Sequence, residues 1–245
     1  MPQNIYDNPE FFAGYSSLRD RKAGLNDVLE QPAMRSLLPG VHGKTVLDLG
    51  CGDGQFCRTL IECGAAAVVG VEISERMLEL ARSHDNANVT FEHCAIEDFV
   101  ANDESFDLIT SSLAFHYIRD LDKVIVKIAK WLRSGGHLVF SMEHPVCTAA
   151  QGIQPGWQTN AGGDREHWIL DRYHDEGVRR SHWFVDDVIK YHRTMASVLN
   201  MVIESGLSVD RVLEPHAIES AERERPSLLD ERRRPPFLLV RARKP

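Results

Sequence analysis

The chain has 245 residues, 43 % hydrophobic and 26 % charged, which excludes wholesale disorder, collagen-like repeats and a coiled coil. A domain of this length buries roughly 70–75 % of its unfolded surface, enough for a full core without staples. Twenty-eight basic and 36 acidic residues give a net charge of −8, a poor surface for a polyanion, so nucleic acid is not an expected partner.

No apolar run approaches the ~18 residues of a membrane helix. The five cysteines, Cys51, Cys57, Cys63, Cys94 and Cys147, are odd in number and lack CxxC spacing, against a disulfide framework or structural zinc. The start, Met1-Pro2-Gln3-Asn4-Ile5, has neither the basic nor the apolar region of a signal peptide. The expected compartment is the reducing cytoplasm, with no membrane partner.

In chain order, the first 40 residues are expected to be helical and to pack on a sheet edge. From about residue 44 to 143, short β-rich runs alternate with amphipathic stretches: an α/β, doubly wound sheet. The runs are Thr45–Leu49, Ala67–Ile73, Val89–Cys94, Phe106–Ser111 and His137–Glu143. Their nearly continuous apolar character suits parallel strands covered on both faces. Between them, Phe56, Cys57, Leu60 and Ile61 recur at helical spacing before a Gly64 cap. Ser74 is the expected N-cap of a helix over Glu75–Arg82. Leu121, Val124, Ile125, Ile128, Trp131 and Leu132 form a third stripe, ended by Gly135-Gly136.

Residues 145–190 read as an inserted lid carrying Trp157, Trp168 and Trp183, with a hairpin expected from the alternation in Trp168–Tyr173 and a turn at Asp175-Glu176-Gly177. The lid's histidines, His167, His174 and His182, stand at intervals that put no pair on one helical face, so no metal is expected. A helix from about Thr194 to Glu204 is stopped by Gly206, and strands follow at Leu207–Leu213 and Phe237–Arg241. The Arg223–Lys244 stretch mixes both charge signs and reads as a solvated loop.

One segment carries chemistry. In Val46-Leu47-Asp48-Leu49-Gly50-Cys51-Gly52-Asp53-Gly54, a buried strand runs into a glycine turn that opens a helix, the arrangement that lets backbone approach a ligand. Alone, such a turn is shared by several nucleotide-binding folds. Asp48, just before the glycines, suits a cationic ligand group better than a phosphate. Glu72 ends the next strand, where one carboxylate can bind both hydroxyls of a ribose. The blander roles are a helix-capping acceptor for Asp48 and a solvated strand end for Glu72.

Val46–Phe56 resembles the first motif of class I S-adenosylmethionine-dependent methyltransferases, nearest to their small-molecule, type 11-like branch. The resemblance covers residues 44–143. It implies a seven-stranded, mostly parallel Rossmann-like sheet with an antiparallel last strand, all within one domain. The parts would be a helical cap (1–40), a cofactor-binding core (44–143), the lid (145–190) and a final helix with two strands (194–245). It implies S-adenosylmethionine as cofactor, with no metal, and a small-molecule acceptor. Contacts would come from Asp48, Gly50, Cys51, Gly52, Gly54, Glu72 and Ile73. Cys94-Ala95-Ile96-Glu97-Asp98 falls at the family's adenine contacts, with Ala95, Ile96 and Glu97 assigned there, although many members carry an acid where Cys94-Ala95-Ile96 stands. Phe106–Ser112 resembles the fourth motif, which brings Ser112 to the cofactor. Phe12, Tyr15 and Arg19, one helical turn apart, would close over the cofactor carboxylate, with Tyr15 in contact.

Methyl transfer from a sulfonium is an in-line displacement that needs chiefly orientation, and a base only when the acceptor must lose a proton. Candidate bases past the fourth and fifth strands are His116 and His144. His116 serves equally well as a packing group, and His144 as a pocket wall. Tyr117, Trp157, Trp168, Tyr191 and His192 are candidate acceptor contacts, although the lid aromatics suit a small core of their own at least as well. Two other readings remain open: an NAD(P)-dependent oxidoreductase, disfavoured because the turn is not GxGxxG, and a non-enzymatic cofactor-binding protein. Ser111-Ser112-Leu113 stands where enzymes methylating exocyclic base amines carry Asn-Pro-Pro-Tyr, against base methylation.

Overall fold

The computed structural model describes residues 2–20, 24–84, 87–150 and 156–245. An N-terminal segment comprises a 3-10 turn (Ile5–Asp7), α1 (Pro9–Asp20), a π turn (Asn26–Glu30) and α2 (Gln31–Leu37). The alternating core follows: β1 (Thr45–Leu49), α3 (Gln55–Glu62), β2 (Ala67–Glu72), α4 (Glu75–Arg82), β3 (Val89–His93), β4 (Phe106–Ser111), α5 (Leu121–Trp131) and β5 (Leu132–Glu143). After the single turn α6 (Pro145–Thr148) come two hairpins. One joins β6 (Trp157–Thr159) to β7 (Arg165–Trp168), the other β8 (Gly177–Trp183) to β9 (Val185–His192). The chain ends with α7 (Met195–Glu204), β10 (Ser208–Leu213), α8 (Glu219–Glu224), a 3-10 segment (Pro226–Arg232) and β11 (Phe237–Arg243). No helix among the described residues is long and apolar enough to cross a membrane.

The seven-stranded sheet has the order β10-β11-β5-β4-β1-β2-β3. β11 is antiparallel to both β5 and β10, and the remaining pairs are parallel. The expected seven-stranded, mostly parallel architecture is therefore what the chain adopts. Val46, Leu47, Asp48 and Leu49 of β1 are almost wholly buried, because helices cover both faces at the centre of such a sheet. One apolar layer joins α5 and α7 to the sheet, and the other joins α2 and α3. From β1 the chain steps outward to β2 and β3 and then crosses to β4 on the other side of β1, a reversal that opens a crevice at the carboxyl ends of these strands.

Local signals act where expected. Ser74 Oγ accepts the Met77 N–H at 3.2 Å and caps α4, and Thr194 Oγ1 does the same for α7 through Ser197. Other expectations are corrected. β5 begins at Leu132, not His137, since Leu132 pairs with Phe106 before a register shift; α5 therefore stops at Trp131, ahead of the glycines. Residues 169–172 form no strand: Arg172 takes a left-handed φ of 55° and breaks the extended run. The N-terminal segment lies across the sheet, with α2 against β5 and β11, and not at an edge. The C-terminal basic stretch folds into α8 and the 3-10 segment, where Arg232 pairs with Glu222 at 2.5 Å and Arg234 with Glu231 at 3.1 Å. Met1 and residues 21–23 of the expected cap, and residues 151–155 of the expected lid, lie outside the described residues.

Candidate cofactor and acceptor site

A cavity of about 410 Å³ opens at the crevice beside β1, β2 and β4 and is covered by the N-terminal segment. The turn after β1 forms one wall. Gly50 has φ +73°, and a Cβ there would fall 2.5 Å from the Ala114 Cβ, so glycine is required on both conformational and steric grounds. Its N–H donates to Val71 O at 2.8 Å, locking the turn to β2. Gly54 has φ +71° and begins α3 against the Phe91 ring; it packs behind the cavity and does not line it, unlike Gly50, Cys51 and Gly52.

Glu72 is the polar centre of this end. Gly52 N–H donates to Oε2 at 3.0 Å and Ser74 N–H to Oε1 at 2.9 Å. Each oxygen keeps a further acceptor position, and the residue lines the cavity. Burial pushes its carboxyl above the ordinary range against the pull of those bonds. Ile73, Ala95, Ile96 and Glu97 continue the wall, and Ser112, Tyr15 and Tyr117 also line it.

Asp48 lines the cavity, but both of its oxygens hold protein donors: Thr110 Oγ1 at 2.7 Å and Cys57 Sγ at 3.4 Å. Burial pushes its carboxyl up to about 6. It lies beneath the glycine turn, near the end of β1.

His116 also lines the cavity, 2 % exposed. Its Nδ1 accepts the Glu143 N–H at 3.3 Å, and its Nε2 lies 4.0 Å from Glu143 Oε1. Burial pushes its pKa down to about 4, so it is neutral at physiological pH and a weaker base than its ordinary value implies.

Five residues expected at the site lie away from the cavity, each engaged by protein partners. His144 is an N-cap: its Nδ1 accepts the Val146 N–H at 3.1 Å and its Nε2 meets Glu214 Oε1 at 2.8 Å. Trp157 and Trp168 pack edge to face at 5.6 Å, beneath Arg233 and Arg234. His192 is fully buried between Thr148 Oγ1 and Tyr173 O, and the Tyr191 hydroxyl accepts from Arg119 Nε at 3.2 Å. None of these five lines the cavity. Phe12 lies under Arg76 instead of over the site, while Arg19 reaches the cavity bound to Asn26, Asp27 and Gln55.

Sequence reasoning missed Tyr6 and Glu143 and gave Trp183 only a place among the lid aromatics; the fold brings all three to the same cavity. Tyr6 packs edge to face on Tyr15 at 5.1 Å and hydrogen-bonds Tyr117. Burial holds both phenols of that pair well above their ordinary pKa. Glu143 ends β5 as Glu72 ends β2, a signal that was available; Tyr6 is distant in sequence and gave none.

The residues present fit an adenosyl sulfonium. Glu72 offers two oxygens to a diol, Ile73, Ala95 and Ile96 offer an apolar slot to a base, and several carboxylates offset a positive charge.

Comparison with known proteins agrees. Residues 41–172 match a family model described as a methyltransferase domain. A Mesorhizobium loti structure described as an S-adenosylmethionine-dependent methyltransferase superposes with TM-score 0.83 at 41 % identity, covering 90 % of this chain and 100 % of that one. A Haemophilus influenzae protein described only as uncharacterized is 36 % identical over 98 % of this chain and 97 % of its own. A ubiquinone biosynthesis O-methyltransferase of Aromatoleum aromaticum is 33 % identical over 42 % of this chain; the match spans 45 % of that enzyme. The dinucleotide and non-enzymatic alternatives fall away, and the chain belongs to the methyltransferase-domain family, as an enzyme dependent on S-adenosylmethionine.

Proposed function

We propose that the protein transfers a methyl group from S-adenosylmethionine to a small-molecule acceptor by in-line displacement. The observation that carries this reading is the single cavity, which joins the Glu72–Gly52 cradle to an aromatic wall of Tyr6, Tyr117 and Trp183 under the N-terminal cover. Its volume of about 410 Å³ lies in the range of small-molecule pockets. When bound, the cofactor supplies a methyl group already activated by the sulfonium charge.

The chain's own residues bind and orient. Glu72 would take the ribose hydroxyls, Ile73, Ala95 and Ile96 would enclose the adenine, and the backbone at Gly50 and Gly52 would pass close to the methionine portion. Tyr6, Tyr15 and Trp183 exclude water and hold the acceptor in line, an effect able to supply roughly 7–11 kcal/mol. His116 stays neutral and positions Glu143 through the backbone N–H it accepts. Proton removal by this imidazole is therefore not a required step.

The test is incubation of purified protein with a metabolite extract and methyl-labelled S-adenosylmethionine, followed by mass spectrometry. A labelled compound of low molecular mass is the expected result. Label confined to protein or RNA contradicts the reading.

A further inference from the structure

The cavity's charge is one-sided. Among the described residues, Asp48, Asp53, Glu72, Glu97 and Glu143 line it, against one basic residue, Arg19, which is itself bound to Asp27 and Gln55. Three of these carboxylates have places at the donor end: Asp48 beneath the glycine turn, Glu72 at the ribose position and Glu97 along the adenine wall. Glu143 is different. It ends β5 beside His116, and its Oε1 takes Lys190 Nζ at 2.5 Å. Its Oε2 carries no hydrogen bond among the described residues. Lys190 Nζ lies 5.7 Å from the centroid of the Trp183 ring, so a cation held between this carboxylate and an aromatic face is already realised once here, by the protein itself.

Acceptor classes differ in what they demand of such a wall. A carboxylate, thiolate or phosphate-bearing acceptor adds negative charge to a cavity whose described lining is acidic and offers no uncommitted cation. An alcohol or phenol must lose a proton as it reacts, and the groups in reach are poorly suited to take it: His116 is pushed down to about 4, and the phenols of Tyr6 and Tyr117 are pushed up. An amine that enters as its free base, having left its proton with solvent, makes neither demand.

We infer that the methyl acceptor is a primary or secondary amine, with its nitrogen between Glu143 Oε2 and the rings of Tyr6, Tyr117 and Trp183. This assignment rests on the donor-and-acceptor reading of the cavity given above. The ammonium leaves its proton with solvent water before it binds, and the uncharged amine reacts. Its lone pair forms the nitrogen–carbon bond while the carbon–sulfur bond breaks and leaves its electron pair on sulfur. Positive charge thus passes from sulfur to nitrogen, and no proton moves in that step. The new ammonium meets the Glu143 carboxylate and aromatic faces that favour a cation, then loses its proton to water on release.

Benzylamine, benzyl alcohol and benzoate share a shape and differ in charge, so they serve as probes at neutral pH, where benzylamine in its ammonium form mimics the product. Calorimetry first measures S-adenosylhomocysteine binding to the wild-type protein; no binding refutes the donor reading and the amine assignment with it. On the loaded protein, ligand-observed NMR should rank benzylamine above both other probes. Glu143→Gln should weaken benzylamine roughly tenfold or more, the effect of removing one member of a buried charge pair. Lys190→Met should tighten it, because Glu143 then loses its competing cation, and this gain is not a result of misfolding. Benzoate binding as well as or better than benzylamine, or benzylamine binding unchanged in both variants, overturns the amine assignment while leaving the donor reading standing.

Discussion

Asp48 and His116 are both buried ionisable groups, and burial moves them in opposite directions. The His116 pKa falls from 6.5 to about 4, so the unfolded chain binds more protons between those values and stability drops as pH falls through that window. The Asp48 pKa rises from 3.8 to about 6, so there the folded chain binds more protons and stability increases as pH falls. Each effect is about 3 kcal/mol at full extent, and they oppose one another over most of the range. Replacing His116 with Asn removes one slope and exposes the other. The melting temperature of His116→Asn relative to wild type should therefore rise steadily on acidification from pH 6.5 to 4. A constant difference across that range would mean that the imidazole titrates normally. At this scale the sequence was informative where chemistry is local: Glu72 and the glycine turn were readable because strand end and turn are adjacent along the chain. That His144, Trp157, Trp168, Tyr191 and His192 lie away from the cavity was not legible, because the direction each side chain faces depends on tertiary packing.

Among the elements, the junction of α4 with the N-terminal segment matters most to the cofactor end. Ser74 caps α4 and also donates from Oγ to Asp7 Oδ1 at 2.6 Å. Asp7 in turn accepts the Arg76 N–H at 3.2 Å, and these donors hold its carboxyl below the usual range. A second tie is the buried Glu30, which accepts from Ser141 Oγ at 2.5 Å and Ser112 Oγ at 2.8 Å and so fixes the π turn to the ends of β4 and β5. Ser74→Ala loses the cap and the Asp7 link together, and should lower stability by about 1–2 kcal/mol. Chemical denaturation measures it, and hydrogen exchange should quicken in residues 5–7 along with the start of α4. An unchanged midpoint would show that the cap contributes nothing here. The core strands and helices were legible because apolar period and caps agree. The hairpins were not, since β6 to β9 expose much of their surface and carry weak alternation.

For the molecule as a whole, sheet order decides where chemistry sits. Placing β1 between β2 and β4 opens the crevice, and the N-terminal segment and Trp183 from β8 close over it. The core half of this arrangement was visible in sequence through the alternation from Thr45 to Glu143. The cover was not, because contacts such as Phe11 with Trp183, 5.2 Å between ring centroids, join residues far apart in the chain without any local pattern. The central claim is that the Glu72 carboxylate, braced by Gly52 and Ser74, holds the adenosyl group at this crevice. Isothermal titration of S-adenosylmethionine into wild-type protein and Glu72→Ala tests it directly. Loss of about 1–3 kcal/mol in the variant is predicted, the cost of leaving buried hydrogen-bonding groups unpaired. Equal affinity in the two proteins contradicts the account.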